Sequence, residues 1–152
     1  MATVTALLLT SAGPANAAPK PITFVSHRLH TETLDLGTPG PSMGDISVMT
    51  GEILSPNEDQ IIGSYVIRKI MLSADASQGL DERDTYIKYK LKAGTIAVLD
   101  ITENNTASAA IFKTEDRAIV GGTGAYAGAK GVLTATPMTG RPDYFITKAK
   151  FK

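Results

Sequence analysis

From Pro21 to its last residue, the chain is a series of short β-rich runs separated by turn-forming residues. The run Thr85–Leu91 alternates most clearly: Ile87, Tyr89 and Leu91 share one face of a strand, and lysines occupy the other. No segment shows a helical hydrophobic repeat over three turns. The regular spacing of short strands and turns constrains the fold most, because turns about every 8–12 residues are typical of an antiparallel barrel or sandwich.

The runs fit about eight strands, and the connections between them are too short for parallel crossovers. We therefore predict an all-β fold, a single eight-stranded antiparallel β-barrel over residues 21–152. The polar stretches Ser73–Glu82, Glu103–Asn105 and Glu115-Asp116 are predicted to be loops or turns. The runs are Ile22–Leu34, Ile46–Leu54, Gln60–Leu72, Thr85–Leu91, Thr95–Ile101, Ala107–Lys113, Arg117–Val120, Val132–Pro137 and Tyr144–Phe151.

Residues 1–20 are predicted to lie outside this domain. The apolar run Val4–Leu9 leads to Ala15-Asn16-Ala17, which resembles a signal-peptide cleavage site. The run is too short to span a bilayer. We interpret residues 1–20 as a signal peptide or a disordered tail. The first interpretation predicts a secreted or periplasmic protein, and the second leaves a cytoplasmic one as the alternative.

Composition and charge narrow the function classes. The chain has 15 Lys and Arg against 15 Asp and Glu, and this zero balance argues against a nucleic-acid partner. The lack of cysteine excludes disulfides, thiol catalysis and thiolate-bound metals. His27 and His30 would point to opposite faces of a regular strand, so they do not predict a metal site. We expect no metal, no organic cofactor and no membrane partner.

The stretch Gly122–Ala127 matches the dinucleotide-binding pattern G-x-G-x-x-A. That pattern needs a following helix and a second parallel strand. Here Gly128 and Gly131 interrupt any helix, and too little chain remains for the second strand. We predict a tight turn in which glycine permits positive φ and close backbone approach.

The segment Lys113–Gly131 resembles the late signature of allene oxide cyclase barrels, with an acidic pair, a short strand and a Gly-Gly-Thr-Gly turn. Dirigent proteins share the last two elements. Weaker landmarks fall in the same order upstream, at Gly44-Asp45, Ile62-Gly63, Tyr86–Leu91 and Gly94–Val98. The resemblance covers residues 21–152 and implies an eight-stranded antiparallel barrel around an apolar lumen.

The resemblance also implies function. Relatives cyclise allene oxides of fatty acids, catalyse four-plus-two cycloadditions of polyketides, or steer the coupling of phenolic radicals, all without a cofactor. We therefore expect a cofactor-independent cyclase or isomerase, for example of Diels-Alderase type, acting on a small apolar natural-product intermediate. The alternatives are a secreted, non-catalytic hydrophobic-ligand-binding or dirigent-like protein, and a structural barrel with a filled lumen. A homodimer or homotrimer is also implied.

Two criteria select the candidate site residues: the face of the strand on which each residue lies, and the resemblance to allene oxide cyclases. Plant cyclases carry a Glu on the first strand, where Glu32 is the nearest acid, and a Cys on the third, at or near Lys69. Tyr65 and Met71 share a face of the run 60–72 and Arg68 takes the other, although apolar residues occupy both faces. The predicted catalytic residues are Tyr65, Tyr89 and Glu32, and the predicted substrate-binding residues are Met71, Leu91, Arg68 and Tyr126.

Overall fold

The computed structural model describes residues 18–75, 80–105 and 113–152. It is a closed barrel in which each strand pairs antiparallel with the next, and the last pairs with the first. The predicted eight-stranded antiparallel barrel is therefore confirmed. The strands are β1 (Ile22–Leu34), β2 (Ile46–Leu54), β3 (Ile61–Asp75), β4 (Leu80–Leu91), β5 (Gly94–Asn105), β6 (Glu115–Gly122), β7 (Gly131–Met138) and β8 (Arg141–Phe151).

Six of the predicted strand boundaries are wrong by two residues or more. Strand β3 runs to Asp75, β4 begins at Leu80, β5 runs to Asn105, β6 spans Glu115–Gly122 and β8 begins at Arg141, so the polar stretches predicted as loops partly continue the strands. The reason is that the barrel interior is polar near these strand ends, where inward-facing polar side chains find partners. Residues 1–17 and most of the predicted run Ala107–Lys113 lie outside the described residues. Within the described ranges, no helix is long and apolar enough to cross a bilayer.

The two ends of the barrel differ in chemistry. We call the end that carries the loop 35–45 the upper end, and the end that carries the glycine-rich turn 123–130 the lower end. Large apolar side chains fill the lower half of the lumen, and the largest fully buried ones are Phe24, Ile53, Ile87, Ile96 and Leu133. At the lower end a short 3-10 turn, Gly124–Tyr126, places the buried Tyr126 ring 5.6 Å from the ring of Phe151. The lower end is thus packed with side chains.

The glycine-rich stretch forms the predicted tight turn. Gly124 and Gly128 have φ values of 61° and 70°, which are accessible to glycine at little cost. The chain then returns directly into β7, which pairs antiparallel with β6. The Gly122–Ala127 pattern therefore contains only one short 3-10 turn and opens no α-helix.

A β-bulge in β1 changes which side chains face the lumen. The register with β2 shifts between Arg28 and His30. Before the bulge the inward side chains include Ser26; after it they include Thr33, whose hydroxyl lies 3.1 Å from that of the buried Ser47. The prediction that His27 and His30 point to opposite faces is therefore wrong, because the extra residue puts both on the outer face.

The loop 35–45 is held over the upper end by one buried carboxylate. Asp45 accepts hydrogen bonds from the backbone N–H groups of Leu36 and Ser42, both at 2.8 Å. The backbone on either side of this residue pairs with Met71 in β3, through Gly44 N to Met71 O and Met71 N to Asp45 O. The two N–H donors hold the pKa of Asp45 below its usual range.

We expect Asp45→Ala to release this loop, with amide exchange at Leu36 and Ser42 accelerated by roughly tenfold at neutral pH. The pKa of Asp45 is lower in the folded protein than in the unfolded chain. The stabilisation that its carboxylate gives the loop is therefore complete above about pH 4, and it is lost as the pH falls through the folded-state pKa. The difference between wild type and variant should therefore shrink in acid. Hydrogen exchange read by NMR measures it, with the exposed Asp59→Ala at the lower end as control. Equal protection in wild type and Asp45→Ala at neutral pH would contradict the assignment.

Candidate functional site

Two of the predicted catalytic residues lie side by side in the lumen. Tyr65 and Tyr89 are paired in register across β3 and β4, and their ring centroids are 5.8 Å apart. Tyr89 also meets Phe24 edge-on at 5.3 Å. Both tyrosines are buried, as is Met71 on the same face of β3. On β4 the buried Ile87 lies between Tyr89 and the upper end, so the tyrosines belong to the apolar lower half of the lumen.

The two phenols are hydrogen-bond donors rather than bases. Burial raises the pKa of Tyr89 to about 12, although side-chain hydrogen bonds with Ser26 and Thr147 oppose the shift. These two hydroxyls are themselves 2.9 Å apart and buried. Burial raises the pKa of Tyr65 further. Both rings therefore keep their protons at any physiological pH.

The remaining predicted residues do not join this group. Leu91 packs against the core at the lower end, and Tyr126 lies in the lower turn. Glu32 is exposed on the outer face because the bulge in β1 reverses its parity. Arg68 is exposed on the outer face of β3, with its guanidinium 5.7 Å from the centroid of the Tyr86 ring. The structure thus brings Tyr65, Tyr89 and Met71 together and leaves these four elsewhere.

A second group of inward-facing residues lies in the upper half of the lumen. It was not predicted from the sequence. It contains three cationic and three acidic side chains on four consecutive strands, β3 to β6. We call it the upper ring. Its members are Lys69, Asp81, Arg83, Asp100, Glu115 and Arg117.

Three ion pairs organise the upper ring, and two of them are also hydrogen bonds. Arg83 binds Asp81 in a bidentate manner, with Nε–Oδ1 and Nη2–Oδ2 distances of 2.9 and 2.6 Å. Arg117 donates to Glu115 through Nη2. The Nε of Arg117 is 3.6 Å from Oδ2 of Asp100, and this buried Nε makes no hydrogen bond within the part of the chain that the structure describes. Arg117 therefore keeps one buried donor available to an oxygen in the lumen.

The ring also perturbs two titratable groups in opposite directions. Burial, followed by the charge of Arg117, lowers the pKa of Lys69. Burial raises the pKa of Asp100, and Glu115 adds to the rise, while Arg117 opposes it. The two groups lie on the same face, two strands apart in register, with Thr85 between them. A raised pKa for an acid and a lowered pKa for an amine are the directions expected of groups that transfer protons in a site.

A cavity of about 240 Å³ lies at the upper end, between the loop 35–45 and the lumen. Its inner wall is formed by Ser47, Met71 and Arg83, and Arg83 also belongs to the upper ring. Lys69 is directly opposite Ser47 in register and two residues before Met71 on the same face. The cavity therefore borders the ring, and the Asp45-anchored loop covers it.

The sequence did contain a signal for the ring. Asp81, Arg83 and Thr85 lie on the same face of β4 as Ile87 and Tyr89, so the polar half of this strand also directs alternate side chains into the lumen.

In the described ranges no group of three or more His, Asp or Glu side chains is arranged to hold a metal ion.

The strand order, the apolar lower lumen and the charged upper lumen define a small closed barrel with its inward-facing charged groups at one end. Residues 25–147 match the family model described as the allene oxide cyclase barrel like domain. The chain belongs to this family. No curated protein matches it in sequence.

Solved structures share the fold at low sequence identity. Pyocyanin demethylase is 21% identical, with a TM-score of 0.70, over 87% of this chain and 99% of that one. The Diels-Alderase AbmU from Streptomyces koyangensis is 13% identical, with a TM-score of 0.64, over 88% and 69%. A pterocarpan synthase dirigent protein is 14% identical, with a TM-score of 0.57, over 87% and 92%. At these identities the likeness concerns the fold.

Proposed function

We propose that this protein is a cofactor-independent cyclase or isomerase that holds a small organic substrate in the upper half of the barrel lumen. The observation that carries the proposal is the upper ring itself, a partly buried set of charges beside a covered cavity. Burying ionisable groups is unfavourable unless they are paired, so a folded barrel gains little stability from such a ring over apolar packing. Perturbed ionisable groups beside a cavity are instead typical of active sites.

In this proposal each part of the lumen has a role. The rigid wall that includes Ser47 and Met71 restricts the shape of a flexible substrate and supplies its orientation in advance. Asp100 donates a proton to the substrate, because its raised pKa keeps the acid form populated at higher pH than for an ordinary aspartate. The free Nε of Arg117 stabilises negative charge that develops on a substrate oxygen.

The names of structural neighbours support the reaction class. Two neighbours are named as a four-plus-two cyclase and a Diels-Alderase and one as a pyocyanin demethylase, and these are reactions of small organic molecules. The cavity here is below the roughly 300–1,000 Å³ typical of ligand pockets, which favours a compact substrate or movement of the loop 35–45. We also propose secretion through residues 1–20, on the cleavage-site pattern alone.

Binding and turnover of two probes test the proposal. Pyocyanin supplies a flat aromatic and sorbic acid a short conjugated diene; calorimetry measures their binding, and liquid chromatography with mass spectrometry detects products. We expect saturable binding that Met71→Trp abolishes by filling the cavity and that Leu72→Trp, on the exposed outer face, leaves intact. Absence of binding for both probes would contradict the proposal.

For a probe that is turned over, we expect Asp100→Asn to lower kcat by about 100-fold while binding persists. Glu103→Gln is the matched control, because Glu103 is exposed on the same strand. Saturable binding of both probes without any product would instead favour the non-catalytic ligand-binding alternative.

A further inference from the structure

Lys69 stands apart from the other cations of the upper ring. Arg83 is paired with Asp81, and Arg117 with Glu115. Within the described residues, Lys69 makes neither a hydrogen bond nor an ion pair. A partly buried lysine inside a lumen without a partner is unusual, because an ammonium group that loses water needs a compensating charge.

The surroundings of Lys69 fit an amine that reacts. Its neighbours in register are Ser47 and Thr85, whose hydroxyls can exchange protons and bind water. Asp100 lies one strand beyond Thr85, and the positive charge of Lys69 acts to lower the pKa of its carboxyl group. Arg117 and Arg83 both disfavour a third positive charge beside them. Burial and, to a smaller extent, these two guanidinium groups lower the pKa of Lys69, while Glu115 and Asp81 oppose the shift; the lowered pKa raises its neutral, nucleophilic fraction.

We propose that Lys69 forms a reversible imine with carbonyl compounds that enter the upper lumen, so that the substrates of this site include aldehydes or ketones. The inference rests on the proposed function only in that the upper lumen must admit a small ligand. It adds a covalent step and a substrate class to that site.

The step balances without an oxidant or a reductant. The Nζ lone pair of neutral Lys69 adds to the carbonyl carbon, and the C=O π pair moves to oxygen, which takes a proton from Asp100. The carbinolamine then loses this oxygen as water, which carries the proton taken from Asp100 and one hydrogen of the amine. The second hydrogen of the amine returns to Asp100 as a proton, and a C=N bond joins the carbonyl carbon to Nζ. Addition of water reverses the step and restores the amine.

Benzaldehyde with sodium cyanoborohydride tests this proposal, because cyanoborohydride reduces the C=N bond to a stable amine that peptide mass spectrometry locates. Because a lowered pKa raises the neutral fraction of an amine, we expect labelling of Lys69 to be severalfold faster than labelling of the exposed Lys90 in the wild-type chain. Lys69→Arg, which keeps the positive charge, should remove the fast phase, and Lys90→Arg should leave it unchanged.

Two results would overturn the proposal. One is labelling of Lys69 no faster than that of Lys90. The other is a fast phase that survives in Lys69→Arg, which circular dichroism must show to be folded. Neither result depends on pyocyanin or sorbic acid, so saturable binding of those probes without labelling at Lys69 removes the imine and leaves the proposed function standing. Fast labelling that Met71→Trp abolishes and Leu72→Trp does not would support both.

Discussion

Ile87→Ala is expected to lower the free energy of unfolding by about 4 kcal/mol. Ile87 is fully buried in the lumen of β4, where it faces Ile67 and Val98 on the adjacent strands. The lower lumen is closed by surrounding strands that are bonded into one sheet, so the wall cannot collapse into the space that the lost atoms leave. Stability of a domain is about 5–15 kcal/mol, so this loss is a large fraction of the total.

Urea denaturation measures the effect, and a constant slope with a lower midpoint identifies a change of stability alone. Ile101→Ala is the matched control, because Ile101 lies on the outer face of the neighbouring strand with 63% of its surface exposed. Its truncation should change the free energy of unfolding by less than about 1 kcal/mol. Equal losses for the two variants would mean that the lumen is not the core.

Gly122→Ala is expected to lower the free energy of unfolding by about 3 kcal/mol and the midpoint temperature by about 10 °C. A Cβ at this position would lie 2.2 Å from the carbonyl oxygen of Thr95 and 2.7 Å from that of Tyr126. Both contacts are with backbone, which cannot move aside as a flexible side chain can. The turn that carries Tyr126 into the lower end would have to shift.

Gly121→Ala is the matched control for Gly122→Ala, one residue away in the same strand. A Cβ at Gly121 meets no atom within 4 Å. We expect calorimetry to show little change for Gly121→Ala, or a small gain from the reduced freedom of the unfolded chain. A Gly122→Ala variant as stable as wild type would show that the turn lies elsewhere than described.

Much of this fold could be predicted because the alternation of apolar and polar residues along a strand indicates which face of the strand is buried. In β4, Ile87 and Tyr89 are buried and Lys88 and Lys90 are exposed, as the pattern of the run Thr85–Leu91 predicts. The run 60–72 offered apolar residues on both faces, and only pairing with β2 and β4 places Tyr65 inside and Val66 outside. When both faces of a strand are apolar, its sequence alone does not indicate which face lies inside the barrel.

The candidate site was harder to predict for two physical reasons. The bulge in β1 reverses the parity of Glu32, and nothing in the sequence around Leu29 marks an extra residue. The upper ring joins residues from four strands, and its charges are individually ordinary in a surface turn. Glu115, for example, was predicted to lie in such a turn, but it begins β6 and binds Arg117 inside the barrel.

The closure of the barrel by β1 and β8 also has a consequence for synthesis on the ribosome. Ser26 and Thr147, whose hydroxyls meet in the lumen, are 121 residues apart in sequence. The first strand therefore emerges long before its second partner, β8, has been synthesised, and both edges of the nascent sheet stay open until then. Such an exposed edge can pair with another chain, so folding in the cell depends on delaying aggregation until β8 has emerged.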